Sequence, residues 1–463
     1  MLMFKEVELR SWSKLLACAA GGFFLGALIV GAVLLRGRTV GGSAPAALAL
    51  TAARGPDLTP DPAVVHYKFA ITQAATDRAD MASTIAALEA RIKQFDKSPY
   101  DYNELAEQYL RRAQEDGDKA DYDAAEKAAT ASLAIIRNPN AGLLTLAKVL
   151  SARHDFREAI ALATEQLAQK KSAGAYGIIA TAELALGELP QAMDAANTAL
   201  VMKPDTGNYM MRALVLEAQG RDAEAAFDFA RAAAVESYGD AQGSAHLRAL
   251  WGRFLLRRGD DAGAQLVLAE ALRIVPEFPL ATAQAAELAL RTGHAKEAAA
   301  EFETAFVASR QVRYLIDQAR AQELAGDKPG ADSLRDQVET IVRGELDEGG
   351  LGHRLDLVEV LVDRNAKISE AVALAQDEVT RRPSVMSRFQ LARALARSGD
   401  RDAAMTQVQA ALATGAHEAE LYELAARLER QKGGGPRAAM YEREADRYDP
   451  GRSGWRALGM DGK

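Results

Sequence analysis

The sequence predicts an all-α protein, an α-solenoid of about ten helical hairpins preceded by one transmembrane helix. Three observations support this fold class. A small residue recurs at a spacing of about 34 residues over most of the chain, which is the length of one helical hairpin. A long apolar run lies near the N-terminus, at positions 15–35. Aromatic residues make up only 6% of the chain, and no alternating runs of Val, Ile and Thr favour a β-sheet.

The repeat is clearest in the alanines that open the second helix of each hairpin. They are Ala125, Ala159, Ala192, Ala225, Ala264, Ala298, Ala331, Ala371, Ala404 and Ala438. Most of these marker alanines follow one another at about 34 residues, and two intervals are longer, before Ala264 and before Ala371. A small side chain at this point lets two helices approach closely. Since a single hairpin cannot bury its own apolar face, the copies are predicted to stack.

Glycine and proline predict where the helices end. Six glycines are expected to end first helices in the left-handed conformation: Gly187, Gly220, Gly259, Gly293, Gly326 and Gly399. Proline cannot continue a helix, so four prolines are expected to end second helices: Pro204, Pro276, Pro383 and Pro450.

One copy, residues 173–204, shows the whole pattern. Tyr176 and Ala180 lie in its first helix, and Ala192 and Ala199 lie in its second. This pattern resembles the tetratricopeptide repeat family, and the resemblance extends over residues 100–450. Tyr176 stands where the family has a tryptophan. The resemblance implies a right-handed superhelix whose concave face, lined mainly by first helices, binds peptides or protein segments.

The apolar run at residues 15–35 carries no charge and no proline. As a helix it would span about 30 Å, so it predicts a transmembrane helix. Residues 1–14 form an N-terminal flank, and residues 36–64, rich in Gly, Ala, Pro and Thr, are predicted to be a flexible linker. Two alternatives remain: lipidation of Cys18, which follows a stretch similar to a lipobox, and cleavage near the Gly-Gly-Ser-Ala-Pro-Ala stretch. The length of the run favours an uncleaved anchor.

Charges on either side of this run predict its orientation. Three basic residues precede it and two follow closely, which favours a cytoplasmic N-terminus. With the resemblance to membrane-anchored bacterial repeat proteins, this predicts a single-pass protein of the bacterial inner membrane with an extracytoplasmic array. Gly22 and Gly26 form a GxxxG pair that could support a homodimer.

Two further segments flank the array. Apolar residues at helical spacing predict lead-in helices within residues 65–99. Residues 451–463 form a C-terminal tail, in which Trp455 and Leu458 are expected to cap the last hairpin or to act as a short partner motif.

Composition and motif content argue against nucleic-acid binding and against catalysis. The net charge is −8, whereas a nucleic-acid binder needs a basic surface. The six histidines lack metal-ligand spacing, and no catalytic or phosphate-binding motif occurs. We therefore expect no cofactor, no metal and no enzymatic activity.

The concave face is expected to carry the binding site. Its predicted residues are arginines in the later copies and neutral residues in earlier ones: Arg253, Arg257, Arg291, Arg320, Arg393, Arg397, Met210 and Leu214. Guanidinium groups suit carboxylates, so the sequence predicts preference for an acidic segment or a C-terminal carboxylate. The alternative is that these arginines pair with neighbouring glutamates within the chain.

Three functions fit this layout. The first is a non-catalytic, membrane-anchored scaffold or assembly factor for other proteins. The second is a chaperone-like holder of unfolded clients, favoured by a broadly apolar groove. The third is a regulatory subunit of a membrane enzyme or transporter.

Overall fold

A computed structural model describes residues 58–71, 74–347 and 352–450. Within these ranges the protein is entirely helical, with 22 helices and no strand. The predicted flank (1–14), transmembrane helix (15–35), most of the predicted linker and the C-terminal tail (451–463) lie outside the described residues. Among the described residues, no helix combines the length and the apolar character that a bilayer crossing requires.

Two helices precede the hairpins: α1 (Pro62–Val65) and α2 (Ala74–Gln94). The remaining helices form ten hairpins, numbered in chain order. Hairpins 1–5 are α3 (Pro99–Asp116) and α4 (Lys119–Ile135), α5 (Gly142–Ala152) and α6 (Phe156–Gln169), α7 (Ala173–Leu186) and α8 (Leu189–Met202), α9 (Thr206–Ala218) and α10 (Asp222–Ala234), and α11 (Ala241–Arg257) and α12 (Asp261–Ile274). Hairpins 6–10 are α13 (Pro279–Arg291) and α14 (Ala295–Ser309), α15 (Val312–Leu324) and α16 (Lys328–Asp347), α17 (Arg354–Asp363) and α18 (Ile368–Arg381), α19 (Val385–Ser398) and α20 (Arg401–Leu412), and α21 (Ala419–Gln431) and α22 (Gly435–Tyr448).

The marker alanines hold the two helices of each hairpin together. From hairpin 2 onwards each is the fourth residue of its second helix, and all ten are at most 1% exposed. Larger residues such as Phe229, Phe302 and Trp251 fill the spaces around them and are also buried. Small and large residues therefore interlock along the array, as close packing requires.

Glycine and proline end the helices as the sequence predicts. All six glycines expected after first helices have positive φ, between 66° and 92°. Each of the four prolines lies two positions beyond the last residue of a second helix. Asp205 shows how the next helix then begins, because its carboxylate accepts a hydrogen bond of 2.9 Å from the backbone N–H of Asn208.

The array curves with its first helices on the inside. First helices of neighbouring hairpins contact each other closely in every pair except α13 and α15, whereas the second helices of neighbouring hairpins make no comparable contact within the described residues. Because the first helices lie closer together, they line the concave face and the second helices form the convex face.

The curvature is tight enough for the two halves of the array to meet. The turns inside hairpins 1–6 lie against the segments that follow hairpins 6–10, and we call this line of contacts the closing seam. At one end, a Cβ atom on Gly117 would lie 2.1 Å from the carbonyl oxygen of Ser309, and Gly117 has a φ of 74°. Only glycine fits there. Further along, the N–H of His417 donates to the carbonyl oxygen of Ala218 at 3.0 Å.

The C-terminal end of the seam is held by charged groups. Arg258 donates to the carbonyl oxygen of Tyr448 at 2.7 Å, and its guanidinium lies over the Tyr448 ring. Arg291 and Asp449 form an ion pair at 3.0 Å, with side chains only 3% and 2% exposed. Hairpins 5 and 6 are thereby joined to the end of hairpin 10.

Residues 58–69, which we call the N-terminal strap, run over the convex face. Leu58 and Val64 pack on the core around α10 and α12, and Val65 and Tyr67 are each 1% exposed. The predicted linker extends to residue 64, but its last part, from residue 58 onwards, is packed in the structure, because apolar side chains at 58, 64 and 65 have a groove to fill. The lead-in region contains α2, which packs on α3.

Candidate protein-binding surface

The first helices of hairpins 3 and 4 contribute a neutral stretch of the concave face. Met210 and Leu214 are both half-buried on α9 and pack against the core of hairpins 4 and 5. The exposed Thr181 of α7 lies beside Met211, with 3.8 Å between its hydroxyl and the sulfur. Partly exposed apolar and small polar side chains therefore form this part of the surface.

Arg253 and Arg257 follow on α11, where they share one carboxylate. Arg253 lies 3.1 Å from Glu217 of the preceding hairpin, and Arg257 lies 3.7 Å from the same group. Arg257 also reaches Glu418 across the closing seam, at 3.2 Å. Burial alone would raise the pKa of Glu217, but the neighbouring guanidinium groups hold it below its usual value. Both arginines are still about a quarter exposed.

Arg291 lies at the edge of the concave face and is occupied. Its side chain bonds Asp261 at 3.1 Å and Asp449 at 3.0 Å, and the Asp449 contact belongs to the closing seam. Its principal role in this structure is to hold the seam.

Arg320 and Arg393 lie in a group of alternating charges that spans α15, α17 and α19. We call it the arginine–carboxylate cluster; its members are Arg313, Asp317, Arg320, Glu359, Asp363 and Arg393. Arg320 contacts both Glu359 and Asp363, the latter at 2.9 Å, and Arg393 contacts the same two carboxylates. The three arginines and three carboxylates balance in charge.

Most side chains of this cluster are buried, and burial strengthens the interactions between their charges. Its members at positions 320, 359, 363 and 393 have side chains no more than 6% exposed. Burial alone would raise the pKa of Glu359, but the three surrounding guanidinium groups hold it well below its usual range. Nearby Asp356 lacks comparable compensation, and burial raises its pKa to about 6. Each carboxylate of the cluster therefore has a guanidinium partner within the chain.

These contacts show which of the predicted binding arginines already have partners within the chain. Arg291, Arg320 and Arg393 are buried and paired, and Arg397, half-buried on α19, also has an interaction within the chain. Preference for an acidic partner stays a prediction, and an incoming carboxylate would have to replace an internal one. Of the five predicted binding arginines whose ion pairs are given above, Arg253 and Arg257 are the most accessible.

Sequence reasoning did not identify the internal carboxylate partners. Glu217, Glu359 and Asp363 lie between 30 and 46 residues from the arginines that they bind. That separation is about one repeat length, so an acidic residue one copy away from each arginine was the available signal. Neighbouring first helices bring such pairs together.

Other chemistry has little support in the described residues. A cavity of about 170 Å³ lies on the closing seam between the Arg153–Glu158 turn and Arg382, and its arginines pair with acidic residues. It is smaller than most ligand pockets. In the part of the chain that the structure describes, no group of three His, Cys, Asp or Glu side chains could hold a metal ion.

Comparison with known proteins finds similarity to other helical-repeat structures. No protein-family model and no curated protein matches the chain. A tetratricopeptide repeat protein from Parabacteroides merdae is 20% identical over 51% of this chain and 92% of its own, with a TM-score of 0.36. The human IFIT1 dimer with PPP-AAAA is 15% identical over 82% and 96%, with a TM-score of 0.44. The Cut9 and Hcn1 hetero-tetramer of APC/C is 12% identical over 83% and 94%, with a TM-score of 0.33. Because these identities and TM-scores are low, the class of protein, an array of helical hairpins, is assigned from the helices of the chain itself.

Proposed function

We propose that this chain is a non-catalytic scaffold or assembly factor that binds segments of other proteins on its concave face. The observation that carries the proposal is the continuous run of ten hairpins with first helices facing inward. Such a surface offers many weak contacts along an extended partner. We further propose that residues 15–35 anchor the array in a bacterial inner membrane, with the array on the extracytoplasmic side.

Two parts of the concave face suit different features of a partner. The neutral part, with Met210 and Leu214, suits apolar side chains. Arg253 and Arg257 suit a carboxylate, because about a quarter of each side chain stays exposed while both pair with Glu217 and Arg257 also pairs with Glu418. We propose that a partner places an acidic residue or its C-terminal carboxylate against these two arginines.

The experiment is a crosslinking pull-down from native membranes. Full-length protein is compared with a variant lacking residues 1–38 and with the double variant Arg253→Glu/Arg257→Glu. Arg221→Glu is the matched control, because Arg221 is exposed beside α10 and its guanidinium bonds Gln219 and Glu224, two and three residues away. We expect the full-length protein to recover a few stoichiometric partners, and the variant lacking residues 1–38 to lose them. Arg253→Glu/Arg257→Glu should lower their recovery at least tenfold, and Arg221→Glu should not change it.

Other outcomes distinguish the alternatives. A wide range of substoichiometric clients, held equally by the anchorless form, would favour a chaperone-like holder, for which the neutral surface at Met210 and Leu214 is the supporting feature. A single co-purifying membrane enzyme or transporter whose activity changes would favour a regulatory subunit. Protease digestion of intact spheroplasts tests the orientation, since an extracytoplasmic array is cleaved and a cytoplasmic one is protected.

A further inference from the structure

The N-terminal strap lies in a groove on the convex face, on the opposite side from the proposed partner surface. Its short helix α1 packs on both α10 and α12, the second helices of hairpins 4 and 5. Val65 and Tyr67 alternate with the exposed His66 and Lys68 and point into the groove, where each is 1% exposed. This alternation is typical of an extended peptide docked through every second side chain.

The groove also binds the main chain of the strap. Arg248 donates to the carbonyl oxygen of Val65 at 2.7 Å, and the N–H of Tyr67 donates to Glu270 at 2.6 Å. Arg273 donates to the carbonyl oxygen of Tyr67 at 3.3 Å. Three side chains from the groove therefore bond three polar groups of the backbone at residues 65–67, which is how peptide-binding surfaces fix the register of a ligand.

Arg248 forms the floor of this groove and is held in place from within the array. It is fully buried, and it donates to both carboxylate oxygens of Glu236, at 2.5 and 3.1 Å, and to the carbonyl oxygen of Ser244 at 3.0 Å. These bonds do not involve the strap. The guanidinium is therefore oriented in advance; its Nε bonds the strap, and its Cζ lies 5.8 Å from the centre of the Tyr67 ring.

The strap has little structure of its own to hold it there. Within its described residues the only helix is the short α1, and its groove contacts join positions about 180 to 210 residues apart. Its attachment thus resembles binding of a tethered peptide, with an effective concentration in the millimolar range. Burial alone would raise the pKa of Glu270, but hydrogen bonds from Arg273 and from the N–H of Tyr67 lower it, so this acceptor is ionised at neutral pH.

We propose that the groove between α10 and α12 is a reversible docking site for residues 58–69, and that docking sets the length of chain between the membrane anchor and the array. The second half of this inference rests on the proposed anchoring. With the strap docked, the segment 36–57 separates the anchor from the first docked residue. With the strap released, the longer segment 36–73 separates the anchor from α2.

The number of residues in each segment sets the largest distance that the segment can span between the anchor and the array. At about 3.4 Å per residue, the docked form reaches at most about 75 Å and the released form about 130 Å. Docking therefore holds the array close to the bilayer, and release lets it reach partners farther away. A partner segment with apolar residues at alternate positions could compete with the strap for the groove.

The docking is tested with a fluorescent peptide of residues 56–71 added to full-length protein in detergent. The strap variant Val65→Ser/Tyr67→Ser empties the groove, and we expect it to bind the peptide at least tenfold more tightly than the wild type does. Adding Glu270→Ala should weaken that binding at least fivefold, since the acceptor of the Tyr67 N–H is lost. Glu303→Ala, an exposed site on α14 outside the groove contacts, is the matched control and should not change it. Equal binding to wild type and strap variant, or binding to neither, would overturn the docking.

The reach is tested separately in nanodiscs. Full-length protein with Cys18→Ala and Ser398→Cys carries a donor dye on the array, and the lipid carries an acceptor. Energy transfer should fall in the strap variant, and unchanged transfer would overturn the length-setting role. If the protein does not insert in nanodiscs while the peptide results hold, the anchoring proposal fails and the docking stands.

Discussion

Replacing Arg320 with methionine tests whether the arginine–carboxylate cluster is a structural part of the concave face. The guanidinium contacts Glu359 and Asp363, and its side chain is 6% exposed. Methionine keeps much of the side-chain length but leaves three carboxylates against two arginines. Breaking a buried pair in this way costs about 3–5 kcal/mol, because the remaining charge is uncompensated. We expect the lower end, about 3 kcal/mol, since Arg313 and Arg393 still contact the same acids.

Amide hydrogen exchange, followed by mass spectrometry, is the appropriate assay. Repeat arrays open locally, so one global free energy of unfolding is not well defined, whereas peptides from α15 and α17 report the opening free energy of the cluster itself. Arg221→Met is the matched control. It removes an exposed pair with Glu224, which is worth about 0–1 kcal/mol.

A double variant gives the direct check on the cause. Adding Asp363→Asn to Arg320→Met removes the excess negative charge, so part of the lost stability should return. If Arg320→Met changes the opening free energy by no more than the control does, the cluster is hydrated and its arginines are available to a partner. The interpretation of the cluster as structural would then be wrong.

Three further predictions concern the seam, the hairpin packing and pH. Asp449→Ala leaves Arg291 buried with one fewer partner, so the closing seam should weaken by about 3 kcal/mol and small-angle scattering should show a larger radius of gyration; an unchanged scattering curve would contradict the seam. Ala298→Leu should lower the opening free energy of α14, measured by amide hydrogen exchange, by about 1–3 kcal/mol because the site is fully buried, whereas the exposed Ala300→Leu should change it by almost nothing. Burial and then the nearby Arg253 lower the pKa of His246 to about 4, so below about pH 6.5 the unfolded chain binds a proton that the folded chain does not. The opening free energy of α11, which carries His246, should therefore fall by about 2 kcal/mol as the pH drops from 7 to 4.5. His246→Gln should remove that part of the pH dependence, as hydrogen exchange of α11 peptides at several pH values would show.

The repeat unit could be predicted because its signals are local. A left-handed glycine after a first helix and an alanine at the fourth position of a second helix each act within one hairpin, so spacing alone locates them. Gly187 and Ala192 are examples, and both have the predicted backbone conformation or burial.

The site was harder to predict because its contacts cross hairpins. The position of Arg320 on a first helix follows from the repeat, but its pairing with Glu359 depends on how closely α15 and α17 approach. The Arg291–Asp449 pair depends on the curvature accumulated over four hairpins. The place of Val65 in the groove depends on a contact with Arg248, which lies 183 residues later in the chain. No periodic pattern encodes such distances.

The closing seam also determines how many copies the chain can have. An open array can gain or lose a hairpin at either end, because each copy meets only its neighbours. Here the turn of hairpin 1 meets the end of hairpin 6, and the turn of hairpin 5 meets the end of hairpin 10. A hairpin inserted or deleted between two seam partners would move those residues away from each other. Closure therefore fixes the number of copies between seam partners, and duplication of an internal copy would disrupt the seam.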